Sequence, residues 1–192
     1  MRSAVLVAGA FIVVIGLAGC AAAEPDPARD RSAFVALPAA DIGAGCSGTV
    51  YDYEPTATPD QLAADSDLVV RGRVSGVRDQ PGGGASSIRS NIVRIDVTHV
   101  VVGEGVGAAV DMTLVAPVGR EVDECAAGLP VGTAVVLYGT AVPGPYAKSP
   151  DGVPMYIPGP LGFVVEAEER QLVWPLIGVS EAGVLADVLP GS

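Results

Sequence analysis

What most limits the fold of this chain is a succession of short segments in which apolar and polar residues alternate, separated by Gly- and Pro-rich connections and never by a helical crossover. Such alternation marks half-buried β-strands. In Asp67–Val77 (DLVVRGRVSGV), Leu68, Val70 and Val74 share one face, and Val69, Arg71, Arg73 and Ser75 share the other. Gly72 and Gly76 fall on the inward face, where a missing side chain permits the strong bend a small barrel needs. Asn91–Val102 alternates through Val93, Ile95 and Val97, then loses phase at His99-Val100-Val101-Val102, which predicts a bulge or a strand end buried on both faces. Ala108–Ala116 turns Val110, Met112 and Leu114 inward, and Thr133–Val142 has an apolar centre. Leu161–Ala167 and Gln171–Trp174 predict a hairpin across Glu168-Glu169-Arg170.

Two short helices are expected beside these strands. Thr58-Pro59-Asp60-Gln61 joins an N-cap residue, a proline at the first helical position, an acid in the first turn and a glutamine three after the cap, so a helix should run to about Ser66. Ser180 is placed to cap a second, Glu181–Leu189, packing through Val184, Leu185 and Val188. Residues 80–89, the stretch around Cys125 and residues 143–160 read as loops. The three glycines of QPGGGASSIR lack a following Gly-Lys-Ser/Thr and precede a strand, which argues against a phosphate cradle. The expectation is a mainly β chain with one or two short helices, closed into a small antiparallel barrel; a β-sandwich fits the same strand count.

Before the strands comes a leader. A basic start at Arg2 is followed by an apolar run from Ala4, ending in Leu17-Ala18-Gly19-Cys20. The layout is that of an export signal, and the tetrapeptide resembles the lipobox of bacterial lipoproteins. The run falls short of the ~20 residues needed to cross a bilayer, and no positive charge follows it directly. The resemblance implies that residues 1–19 are removed, that the sulfur of Cys20 is lipidated, and that the protein is held on the extracytoplasmic face of the cell membrane. One acyl chain gives only marginal attachment, whereas a diacylglyceryl group supplies two. Residues 20–45, with Pro25, Pro27 and Pro38, then read as the lipidated cysteine and a flexible tether, and residues 46–192 as a single domain.

That compartment governs the reading of the other two cysteines. Cys46 and Cys125 are expected to form a disulfide there, against the alternatives of free buried thiols or a two-cysteine metal site lacking further ligands. The full chain has 11 basic and 22 acidic residues; losing Arg2 with the leader gives 10 minus 22, a formal charge of −12. Phosphate backbones and anionic headgroups would repel such a body, so no nucleic-acid partner is expected. Lys148 is the only lysine, and the Ala, Gly, Val, Pro and Arg bias resembles that of a high-GC bacterium such as an actinobacterium.

No residue set amounts to a catalytic or cofactor signature. His99 is the only histidine and lies in a Val-rich strand, which leaves a Ser-His-Asp or Cys-His arrangement without a natural place. One histidine and two paired cysteines cannot supply a zinc centre. The acidic groups Glu121-Asp123-Glu124 and Glu166-Glu168-Glu169 lack calcium-loop spacing and read as solvated charge, and Trp174 is the only Trp available as a sugar platform. No catalytic residue, metal or cofactor is therefore assigned. Tyr51, Tyr53, Tyr146 and Tyr156, with Met155, lie in segments flanking the strands, where aromatics form a contact patch or cover a barrel end.

Several pieces in order, AADSDLVVRGRVSGV, VRIDVTHVVVGE, VDMTLVAP, Cys125 ahead of LPVGTAVVLYG, and LGFVVEAEERQLVWP, resemble the five-stranded OB-type barrel of tissue inhibitors of metalloproteinases, netrin-like modules and a group of bacterial surface proteins. The resemblance spans roughly residues 46 to 175 and implies an OB-like barrel. In the metalloproteinase inhibitors an N-terminal cysteine chelates zinc through its free amine. Cys46 lies inside the chain, and its nitrogen is an amide, so the architecture carries over and that activity does not. The functional expectation is a non-enzymatic binding or structural domain that meets an envelope or extracellular protein; the alternative is a protease inhibitor working through an edge strand or the Cys46 segment.

Overall fold

The computed structural model describes residues 38–39, 41–49, 57–80 and 89–192. Seven strands form one sheet: β1 (Leu68–Gln80), β2 (Ser90–Val102), β3 (Ala109–Val115), β4 (Ala134–Ala141), β5 (Met155–Ala167), β6 (Gln171–Trp174) and β7 (Val179–Ala182). Their order is β3-β2-β1-β4-β5-β6-β7, with an additional pairing of β3 to β5. That pairing closes β1-β2-β3-β5-β4 into a ring, the OB-like barrel. Its closing contact is parallel, Asp111 opposite Met155 and Met112 opposite Tyr156, whereas every other ladder is antiparallel.

The barrel interior is the main core. Leu68, Val70, Val74, Val93, Ile95 and Met112 point into it and are buried, as the alternation predicts. The β1–β2 ladder skips Thr98, Val101 and Ser75, so the phase loss near His99 is a pair of bulges on β2. At Gly72 an added Cβ would stand 2.5 Å from the Asp96 carbonyl oxygen and 2.5 Å from Ile95 Cγ2, so only glycine allows the two strands this approach.

A second core lies outside the ring. Val69, Val136, Tyr138, Val164, Trp174 and Leu185 form it, on the faces of the strands turned away from the interior. Val69, expected on the polar face of β1, is fully buried here. The C-terminal segment and helix α1 (Pro59–Ala64) provide the cover: Leu185 and Val188 are buried, and Leu62 and Ala63 pack from the helix. The box at the start of α1 is made as expected. Gln61 N–H donates to Thr58 Oγ1 at 3.3 Å, and Thr58 N–H donates to Gln61 Oε1 at 2.8 Å.

Three expectations are corrected. Cys125 sits on a helix, α2 (Val122–Gly128), which places Cys125 and, just beyond its end, Leu129 in the main core. Residues 143–160 are not one loop, because β5 begins at Met155 and takes in Pro158 and Pro160. Leu137 faces Phe163 and Gly139 faces Pro158, so Gly159-Pro160-Leu161-Gly162 bulges opposite Tyr138, a place where missing N–H groups are tolerated. Finally, Glu181–Leu189 is not a helix: Val179–Ala182 pairs with β6, leaving only a 3₁₀ turn at Leu185–Val188.

Cys46 and Cys125 are joined in a disulfide, both nearly inaccessible to solvent. Packing starts ahead of Cys46. Ile42 is buried in the main core, and Gly43 N–H donates to the Gly128 carbonyl at 2.9 Å. Ala33–Ser192 forms one compact unit that holds both cores and the disulfide, the elements a chain needs to fold on its own.

Candidate functional site

The second core is open on one side. Between α1, the β5 bulge and the β6–β7 ribbon lies a cleft of about 340 Å³, the low end of the ~300–1,000 Å³ range of small-ligand sites. Each element sets one wall. The box at Thr58 directs α1 so that Pro59 and Leu62 form an edge, and the bulge opposite Tyr138 turns Leu161 outward into the lining. Trp174, at the end of β6, is the largest side chain in the lining and is 9% exposed.

Polar groups sit at the base and the rim. The Tyr138 hydroxyl, at the base, donates to the Val188 carbonyl. Burial and, after it, the charge of Asp60 push that phenol up to about 12, so it stays a neutral donor. At the rim stand the exposed carboxylates of Glu181 and Asp187. Asp187 Oδ2 accepts from Val184 N–H at 2.9 Å, while the Glu181 carboxylate has no hydrogen-bond or ion-pair partner among the described residues. A hollow of about 640 Å³ beside the disulfide is lined by Asp41, Ser47, Arg120 and Glu124, with no large apolar or aromatic side chain. Arg120 and Glu124 there pair with each other, which makes it a weaker candidate despite its size.

On the opposite side of the sheet order, around β1, β2 and β3, the structure assembles an ion network that sequence reading missed. Asp111 of β3 is fully buried and accepts from Arg94 Nε at 2.8 Å, Arg94 Nη2 at 2.9 Å and Arg78 Nη2 at 2.6 Å. Asp151, between β4 and β5, reaches the same arginines, at 2.6 Å from Arg94 Nη1 and 3.3 Å from Arg78 Nη2, and accepts from Ser149 Oγ at 2.7 Å. The connection between β4 and β5 is thereby latched onto the outer face of the barrel. Arg94 holds the Asp151 carboxyl well below the usual carboxylate range, with Ser149 assisting. Its stabilising effect is therefore present above the ordinary value of ~3.9 and is lost only as pH falls through the lower folded value. Carbon NMR titration of Asp151 should give a midpoint below that of a free aspartate, and Arg94→Gln should return it to the ordinary range; a midpoint unchanged by the substitution would remove the latch.

The residues singled out from sequence are dispersed. Cys20, Tyr51 and Tyr53 lie outside the described residues. Tyr146, on the 3₁₀ turn Gly144–Tyr146, is 57% exposed, whereas Tyr156 is half-buried and packs against the main core, its phenol pushed upward by that burial. Tyr156 thus acts as cover for the barrel. Met155 is buried. His99 is exposed opposite Arg71 and has no side-chain partner among the described residues. Cys46 N–H donates to the Gly43 carbonyl at 3.1 Å, so its nitrogen is engaged as an amide donor. Glu121 is the N-cap residue of α2 and Glu124 lies in its first turn, paired with Arg89 and Arg120 respectively, and Glu168 stands exposed at the β5–β6 tip. Among the described residues, no group of three or more His, Cys, Asp or Glu side chains is placed to share a metal ion.

No family model, curated protein or solved structure matches the chain. Function must therefore be argued from the site itself. The lining sets the apolar side chains of Leu62, Leu161 and Trp174 against the carboxylates of Glu181 and Asp187, with the Tyr138 hydroxyl below, and contains no histidine. The described helices include none long and apolar enough to cross a membrane.

Proposed function

We propose that this chain is a membrane-anchored extracytoplasmic lipoprotein, lipidated on Cys20, whose acidic OB-like barrel, of the metalloproteinase-inhibitor and netrin-like kind, acts as a non-enzymatic binding domain through the cleft beside α1. The single observation that carries the binding role is that cleft, a hollow lined mostly by apolar residues and bordered by Trp174 and Tyr138. The anchoring part is supported by Leu17-Ala18-Gly19-Cys20 after an apolar run, and by a disulfide suited to an oxidising compartment.

Trp174 is the only tryptophan, so its indole N–H gives one unmistakable resonance. Titrating the Ala33–Ser192 unit with 4-phenylbutanol should shift that resonance saturably in the millimolar range expected for so small a ligand. A resonance that does not move, or moves without saturating, would refute the cleft as a binding site.

A further inference from the structure

We infer that the occupant of the cleft is an amphipathic cation, a small apolar molecule carrying a protonated amine; this rests on the cleft being the binding site. The residues lining it include two carboxylates, Glu181 and Asp187, and no Lys, Arg or His. A third, Asp60, lies close enough to raise the Tyr138 phenol. Asp60 is partly committed, accepting from Gly191 N–H at 2.9 Å, and Asp187 is committed through one oxygen to Val184 N–H. Glu181 is uncommitted among the described residues. It stands two residues from Val179 on β7, and successive alternate residues of a strand share a face, so both reach the same cleft.

The placement fits one polarity of ligand. An apolar body held by the lining side chains brings a terminal ammonium to the acidic rim of Glu181 and Asp187. A ligand ending in a carboxylate would meet like charge from Glu181 and Asp187 in a body with 11 more acidic than basic side chains (22 against 11). The charge selects the ligand, and the apolar walls hold it. Since Glu181 is solvent-exposed, its contribution is modest and falls with salt.

Three probes with one apolar body test this: 4-phenylbutylamine, 4-phenylbutanol and 4-phenylbutyrate, each titrated into the Ala33–Ser192 unit at pH 7 and followed by the Trp174 indole resonance. The amine is expected to bind about fivefold more tightly than the alcohol, and the acid more weakly than either. Glu181→Gln, on an exposed edge strand, should keep the fold and narrow the gap between amine and alcohol; added salt should act the same way. Equal affinities for amine and alcohol, or an advantage untouched by Glu181→Gln, would overturn the cation reading while leaving the cleft intact. Absence of saturable binding by all three would overturn both.

Discussion

Replacing Cys46 and Cys125 together by alanine should lower the unfolding free energy by about 4 kcal/mol, because the bond closes a loop across a sequence separation of 79. For a domain of this size that corresponds to a fall in Tm on the order of 10 °C. The site adds to the effect: Cys46 and Cys125 are 1% and 0% exposed, and Cys125 lies on a seven-residue helix whose N-cap residue, Glu121, makes no side-chain cap bond. Such a helix depends on tertiary support. Chemical denaturation of the double variant against the oxidised parent measures the difference. A change below about 1 kcal/mol would mean that packing of Ile42, Leu129 and their neighbours, and not the crosslink, holds this end of the barrel.

The second large effect is expected at Asp111. Substituting Asp111→Ala should cost about 3 kcal/mol, since it removes a fully buried carboxylate and leaves Arg94 and Arg78 facing a position they were built to neutralise. Both arginines retain some solvent access, at 29% and 38% exposure, which keeps the effect toward the lower end for a broken buried pair. Asp111→Asn keeps the shape and part of the hydrogen bonding and should cost roughly half as much. The loss should also loosen the connection between β4 and β5, because Asp151 is tied to the same two arginines; amide exchange at Ser149 and Gly152, whose N–H groups donate within that connection, is the direct readout. Protection unchanged in Asp111→Ala would mean that Asp111 and Asp151 act independently.

Much of this architecture is legible in the chain before any coordinates. The two-residue period of Leu68, Val70 and Val74, the inward glycine at 72, and the cap at Thr58 are local signals, and the fold obeys them. The failures occur where a distant partner decides. Val179–Ala182 has a helix cap before Glu181, yet it becomes a strand because β6 offers it a ladder. The prolines of Pro158-Gly159-Pro160 signal a loop, yet β5 absorbs them in a bulge that only its pairing with β4 reveals. Val69 looks half-exposed until the C-terminal segment folds over it.

The sites follow the same division. The disulfide is legible from the cysteine count together with the export-signal layout of the leader. Asp111 and Arg94 are invisible singly, each a charged residue at an outward position, and acquire meaning only when the β2–β3 register sets them opposite each other. The cleft is less legible still, since Leu62, Tyr138, Leu161 and Trp174 come from four elements joined only in the folded unit. In the sequence, Trp174 is conspicuous as the only tryptophan and carries no role of its own. Its burial against α1 and β7 supplies one.

The central claim, an oxidised barrel fastened to lipid outside the cytosol, can be tested by counting reactive thiols on the protein extracted from its own membranes, denatured without reductant and exposed to a maleimide, then read by intact mass. With Cys20 acylated and Cys46 bonded to Cys125, the account predicts no label at all. One label would leave Cys20 unmodified and the anchor without a basis, and labels on Cys46 and Cys125 would contradict the compartment from which the rest of the functional reading follows.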